Sequence, residues 1–156
     1  MIHEYDSGGA LAVRERQDIV YREAPTARTE VAAADPAPAG KTSRQVTADA
    51  TMLFRYSAIT FNGHRIHYDA PYAREVEGYG GLVVHGPMQA TLMAHMAAEI
   101  RGQTPTRFGY RGRSPIFDDT PFMLHATEDD DGLSLWTARE GGPVAMQAKA
   151  CLLYTS

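Results

Sequence analysis

With 156 residues, of which 44% are hydrophobic and 22% charged, the chain has the size and composition of one ordinary globular domain with a sizeable core. A formal net charge of −4 argues against non-specific attraction to nucleic acid or to an anionic membrane surface, so neither is an expected partner. No apolar run approaches the roughly 18 to 20 residues of a membrane span and no secretory signal opens the chain, so a cytoplasmic location is expected, and the single Cys151 excludes an intrachain disulfide or a cysteine-based zinc cluster.

Residues 10–22 alternate in the manner of a strand, with Leu11, Val13, Ile19 and Tyr21 on one face and Arg14, Arg16, Asp18 and Arg22 on the other. Residues 1–9 supply one short neighbour and a glycine-containing turn, but a two-stranded ribbon is marginal alone, which makes residues 1–24 an orphan in need of partners. Residues 25–43 are rich in Ala, Pro and Thr without sustained periodicity and read as a linker. Residues 44–150 read as a self-sufficient unit. Arg44–Ala48 is a weak strand candidate, and Asp49 caps a short helix carrying Leu53, Phe54 and Ser57. Pro87–Arg101 is the longest helix, with Met88, Leu92, Met96 and Ile100 on one stripe, a Gly86-Pro87 start and a Gly102 stop.

Four strands are predicted beyond Gly102: Thr106–Arg113, Thr120–Glu128, Leu133–Glu140 and Val144–Ala150, separated by turn residues. Leu133 alternates with Leu135, and Val144 with Met146 and Ala148, as in an antiparallel meander with one face covered by a helix, an α+β architecture. The acidic run Glu128–Asp131 reads as a solvated hairpin tip. Residues 151–156, CLLYTS, break the alternation and match the translation of a library adapter, so native sequence is expected to stop near Ala150.

The chemistry concentrates in Phe54–Pro87, which holds His64, His67 and His85 with Asn62 and Asp69. Histidine is the side chain best suited to exchange protons near neutral pH. His67 follows Asn62 by five residues across a turn at Gly63, so both side chains can meet at one water; Asn62 can orient that water but cannot take its proton. His85 precedes Gly86 at the helix entry, where free N–H groups stabilise negative charge developing on a carbonyl oxygen, as in a thioester enolate. A lone histidine is more often structural than catalytic, and it is the combination that points to an active site. His64, His67, Asp69 and His85 could in principle ligate a metal, but Asp69 equally caps the turn at Ala70-Pro71, and no metal is expected. Ser57 lies outside any G-x-S-x-G elbow, which argues against a nucleophilic triad.

The octapeptide Thr60-Phe61-Asn62-Gly63-His64-Arg65-Ile66-His67, followed by Val84-His85-Gly86, resembles the active-site region of MaoC-like enoyl-CoA hydratases, which are hotdog-fold enzymes. Asn62 stands where the general family has an aspartate. The wording T-F-N-G-H-R-I-H-Y-D resembles the branch of fumaryl-type hydratases acting on mesaconyl-C4-CoA, where asparagine is usual at this place. The resemblance implies an antiparallel sheet wrapped around one long central helix, preceded by an extra N-terminal strand left from a first hotdog half, and hence a fragment of a longer enzyme. It implies reversible hydration of a trans-2-enoyl-CoA thioester, with His67 and Asn62 catalytic, Gly86 as oxyanion donor, and His64, His85 and Asp69 in support. Coenzyme A arrives as part of the substrate and no further cofactor is expected. Arg65, Arg107, Arg111, Arg113 and Tyr68 are candidates for the coenzyme A arm or a substrate carboxylate, and Tyr56, Tyr68 and Tyr79 for the acyl pocket. Pairing of two hotdogs, within the full-length chain or as a homodimer, is also implied. A hotdog thioesterase, sending water to the carbonyl carbon, and a non-catalytic hotdog half are the alternatives.

Overall fold

The computed structural model describes residues 1–19, 34–130 and 132–151. The chain divides into two compact units, residues 1–33 and residues 34–156. In the first, β1 (Ile2–Ser7) and β2 (Ala10–Arg16) form an antiparallel hairpin. Gly8 and Gly9 turn it with φ of 60° and 81°, the left-handed pair that a two-residue hairpin loop demands. Glu4 and Arg14, cross-strand neighbours, are ion-paired at 2.6 Å. The strand expected over residues 10–22 ends at Arg16, and residues 20–33 lie outside the described residues.

The second unit is built on a five-stranded antiparallel sheet in the order β3-β5-β6-β7-β4. Its strands are β3 (Thr42–Val46), β4 (Arg107–Gly112), β5 (Phe122–Asp129), β6 (Gly132–Arg139) and β7 (Val144–Cys151). The inner face is read directly from alternation: Phe122, Leu124 and Ala126 on β5, Leu133, Leu135 and Thr137 on β6, and Met146, Ala148 and Ala150 on β7 are all buried. The helix α2 (Gly86–Arg101) lies on that face, with Pro87 in its first turn and Gly102 closing it in the left-handed region at φ 68°. The buried row of α2 differs from the single stripe read from the sequence. Met88, Gln89, Met93, Met96 and Ala97 are buried, whereas Leu92 and Ile100 are only partly so; the buried face is wider than one 3.6-residue line and is not buried evenly along it. Among the described residues, no helix is long and apolar enough to cross a membrane.

The stretch expected as linker has a structured end. Ala37 N–H donates to the Gly142 carbonyl at 2.8 Å, Lys41 N–H to Thr127 Oγ1 at 3.2 Å, and Trp136 Nε1–H to the Pro38 carbonyl at 3.0 Å. These bonds lay residues 37–41 against the sheet, and β3 starts at Thr42 rather than at Arg44. Ala and Pro give no periodic signal, but backbone groups beside an open sheet still need partners. Gly40 fits only because it lacks a side chain: a Cβ there would stand 2.8 Å from both the N and the O of Ala126. Gly40→Ala is therefore expected to cost about 1–3 kcal/mol in urea unfolding; an unchanged midpoint would contradict this close approach.

The acidic hairpin tip carries ion pairs, Glu128 with Arg101 and Asp129 with Lys149, while Asp131 lies outside the described residues. Cys151 ends β7 and its carbonyl accepts the Thr106 N–H at 3.2 Å; residues 152–156 lie outside the described residues.

Between β3 and α2 the chain builds the lid of the core. In α1 (Ala50–Ile59), the Asp49 carboxylate accepts the Met52 N–H at 2.8 Å, and Leu53 and Ser57, one turn apart, face inward. Phe61 then reverses the chain at φ 53°, an uncommon conformation for an aromatic residue. A 3-10 turn at Arg65–His67 and a π-helical turn at Tyr72–Val76 follow. The approach to α2 is pinned on both sides: Val83 N–H donates to the Ile66 carbonyl at 2.9 Å, and Val84 N–H to the Ile116 carbonyl at 2.8 Å.

Candidate active site

His67 closes the 3-10 turn and is buried. Its Nδ1 lies 2.7 Å from the Val83 carbonyl oxygen, which can only accept, so Nδ1 carries the proton and the neutral ring keeps its lone pair on Nε2. Burial lowers the His67 pKa from its ordinary value; the Val83 carbonyl opposes that shift and nearby His64 adds to it. The His64 ring stands edge-on to His67, centroids 5.6 Å apart.

His85 is wholly buried at the N-cap of α2, stacked on His67 with centroids 3.7 Å apart and planes within 17°. Burial first, and then the neighbouring His67, push its pKa down to about 4. Its Nε2 is 2.8 Å from Ser57 Oγ, and the Tyr56 ring lies 4.8 Å away on the α1 side. Asn62 joins the same assembly: its N–H donates to the Ser57 carbonyl at 2.9 Å, its Oδ1 accepts the His64 N–H at 3.0 Å, and the His64 carbonyl accepts the His67 N–H at 3.3 Å. Gly86 opens α2, so its N–H belongs to the turn in which a helix offers no internal acceptor. The end of α1, the 61–67 turn and the start of α2 thus converge on His67.

The remaining sequence-predicted residues serve different surroundings. The Asp69 carboxylate accepts Arg65 Nε at 3.1 Å, Arg65 Nη2 at 2.7 Å and the Tyr72 N–H at 3.1 Å, and these bonds, Arg65 first, lower its pKa. It caps the turn at Ala70-Pro71. The Arg65 guanidinium also lies 4.1 Å over the Tyr72 ring. Tyr68 donates its hydroxyl to the Gly63 carbonyl at 2.9 Å. Tyr79 packs near Phe117, ring centroids 6.1 Å apart. Arg107 begins β4, Arg113 binds Gln147 Oε1 from two nitrogens at 3.1 and 2.8 Å, and Arg111 pairs across the ladder with Gln147, on the face opposite buried Ala148. A groove of about 610 Å³ on that outer face is lined by Pro38, Arg111, Trp136, Gln147 and Lys149, and is separate from the histidine cluster. Among the described residues, no three His, Cys, Asp or Glu side chains are grouped to hold a metal.

Sequence reasoning missed Ser57 as a member of the site. The available signal was a polar residue one turn after Leu53 on the buried side of α1, but the partner is 28 residues away.

The two buried imidazoles make stability depend on pH with a definite sign. His85 in the unfolded chain takes up a proton near 6.5 and in the fold only near 4. Between those values the unfolded chain binds more protons, so this contribution is fully present above about pH 6.5, falls as pH drops, and is lost below about 4. The thermal midpoint should decline across that window, and His85→Phe, neutral throughout, should remove this share of the decline. An identical slope in the variant would contradict a buried neutral His85.

The sequence profile of hydroxyacyl-thioester dehydratase type 2 matches residues 1–118. The mesaconyl-C(4)-CoA hydratase of Chloroflexus aurantiacus is 43% identical over 140 residues, covering 88% of this chain and 50% of that protein. The mitochondrial hydroxyacyl-thioester dehydratase type 2 of Schizosaccharomyces pombe is 32% identical, over 86% of this chain and 45% of that protein. The chain spans about half the length of the curated relatives it matches. Among solved structures, HtdX of Mycobacterium tuberculosis superposes with a TM-score of 0.68 at 19% identity, over 97% of this chain and 60% of that one. The (R)-hydratase from A. caviae superposes with a TM-score of 0.60 at 16% identity, over 73% of this chain and 94% of that one. These likenesses show the hotdog fold.

Proposed function

The chain belongs to the hydroxyacyl-thioester dehydratase type 2 family, and from that premise we propose that it catalyses reversible addition of water across the double bond of a trans-2-enoyl-CoA thioester. The observation that carries this reading is the tautomer of His67: with Nδ1–H committed to the Val83 carbonyl, Nε2 is available to take a proton. In the hydration direction, His67 Nε2 removes a proton from a water oriented by the Asn62 side chain. The hydroxide oxygen bonds to the β-carbon as the double-bond electrons move toward the thioester carbonyl. The negative charge that develops on the thioester carbonyl oxygen is met by the Gly86 N–H and the positive end of the α2 dipole. Protonated His67 then returns its proton to the α-carbon, which restores the neutral ring. Dehydration runs the same steps backward.

A short branched or dicarboxylic acyl group, as in mesaconyl-C4-CoA, is the proposed substrate, supported by the 43% identity to the hydratase named for it. Coenzyme A enters as part of that substrate and no other cofactor takes part. Arg65 and Tyr68, beside His67 in the chain, are the favoured contacts for the coenzyme A arm or a substrate carboxylate, with Arg111 on β4 and Arg113 just beyond its end as the further set. His64, through its N–H on Asn62, and Asp69, through Arg65, brace the turn that carries His67. Pairing of this unit with another of the same fold belongs to the proposal, as does a cytoplasmic setting.

The test is a panel of enoyl-CoA esters that includes crotonyl-CoA and mesaconyl-C4-CoA. Loss of the conjugated double bond without release of free thiol is expected. Thiol release at the rate of substrate loss would instead favour thioester hydrolysis.

A further inference from the structure

Behind His67 lies a buried pair that proton transfer at His67 does not itself use. His85 has no exposed surface, and its ring lies parallel to that of His67. Its Nδ1 is buried without a hydrogen-bond partner among the described residues, which leaves Ser57 Oγ, on Nε2, as the polar restraint on the ring. Ser57 is itself buried, and its carbonyl also accepts the Asn62 N–H. One residue of α1 is therefore tied through its main chain to Asn62 and through its side chain to the ring beneath His67.

Buried imidazoles are rarely left with an unpaired nitrogen, and removing this one to an apolar ring of similar shape would avoid the penalty. We propose that Ser57 and His85 are positioning residues: the Ser57 hydroxyl sets the plane of an uncharged His85 ring, and that ring sets the plane of His67, aiming Nε2 at the water to be split. The role of His67 in this statement rests on the hydration reading, whereas the restraint of one ring by the other does not. The uncharged state of His85 matters in the reaction. When His67 becomes an imidazolium, it faces the π surface of a neutral ring, which attracts it, whereas a second cation at 3.7 Å would repel it. The other titratable groups on this stack are Tyr56 against His85 and His64 edge-on to His67.

Three variants of the full protein test the proposal: Ser57→Ala, His85→Phe and His85→Ala. Phenylalanine keeps a flat neutral ring against His67 but cannot take the Ser57 bond. With crotonyl-CoA, kcat is expected to fall about tenfold in Ser57→Ala and His85→Phe and about a hundredfold in His85→Ala, with KM changed by less than about twofold. NMR titration of the His67 ring without substrate should show its pKa rising toward the ordinary value in His85→Ala, as the ring loses its cover. A rise in KM at constant kcat, or an unmoved His67 titration together with unchanged kcat, would overturn the proposal. If His85→Ala fails to fold, Ser57→Ala decides alone, since it removes one oxygen: wild-type kcat there overturns the proposal. A His67 titration that responds to His85 in a protein that hydrates no enoyl thioester would uphold the ring restraint and overturn the hydration reading.

Discussion

Replacing His67 with alanine is expected to lower kcat for enoyl-thioester hydration by about two to four powers of ten, the usual share of a positioned general base. The side chain removed is the one whose Nδ1–H is bound to Val83 and whose Nε2 is left to accept a proton. The variant should still fold, because His67 contributes one ring to a cluster whose other members, His85, Ser57 and Tyr56, are held from α1 and α2. The remaining activity should lose its acidic limb. In the unaltered protein, activity should fall as pH drops through the His67 pKa, which burial places below the ordinary histidine value, so hydration should persist to more acidic pH than an exposed histidine would permit. Steady-state kinetics across pH check both statements; wild-type kcat in His67→Ala would sink the assignment of His67.

Leu53→Ala is expected to have the largest effect on stability among single changes near the site, about 2–5 kcal/mol. Leu53 has no exposed surface and is the residue through which α1 enters the core one turn before Ser57. A ten-residue helix owes most of its stability to packing of its inner face rather than to helix propensity. Loss of that anchor should loosen the helix that carries Ser57 and leads to Asn62, so kcat should fall together with stability. Phe54, the next residue, is 59% exposed, and Phe54→Ala should stay within about 0.5–1 kcal/mol of wild type. Urea unfolding of the two variants checks the contrast; equal midpoints would contradict the inward orientation of Leu53.

Much of this architecture is legible in residue order because the patterns are local. The glycine and proline residues around 86–87 and 102 bracket α2, and the Gly, Pro and Asp turns separate strands whose alternation survives in the folded sheet except at a register shift between Thr137 and Ala138, opposite which Ala145 is buried and Val144 only partly so. The hairpin of residues 2–16 follows from alternation and Gly8-Gly9. What was not legible depends on partners far along the chain. Residues 37–41 look like spacer because Ala and Pro carry no period, yet their backbone groups bond to Thr127 and Gly142. The widened buried face of α2 depends on packing against β5, β6 and β7, which no helical wheel contains. His67 and Asn62 could be singled out as a proton acceptor and a water ligand from side-chain chemistry alone, but the Val83 carbonyl that fixes the tautomer, and the Ser57 hydroxyl on His85, emerge only when three separate segments meet. The ion pair of Arg65 with Asp69 and its place over the face of Tyr72 were likewise not legible from its charge alone.

The most direct measurement is the fate of oxygen when the protein is incubated with crotonyl-CoA in ¹⁸O-labelled water and the products are weighed by mass spectrometry. Proton abstraction by His67 with attack at the β-carbon should give an intact 3-hydroxyacyl-CoA thioester carrying one ¹⁸O on the β-carbon, at a rate that collapses in His67→Ala. Label in a free carboxylate accompanied by free coenzyme A, or β-hydroxylation at the same rate in His67→Ala, would contradict it.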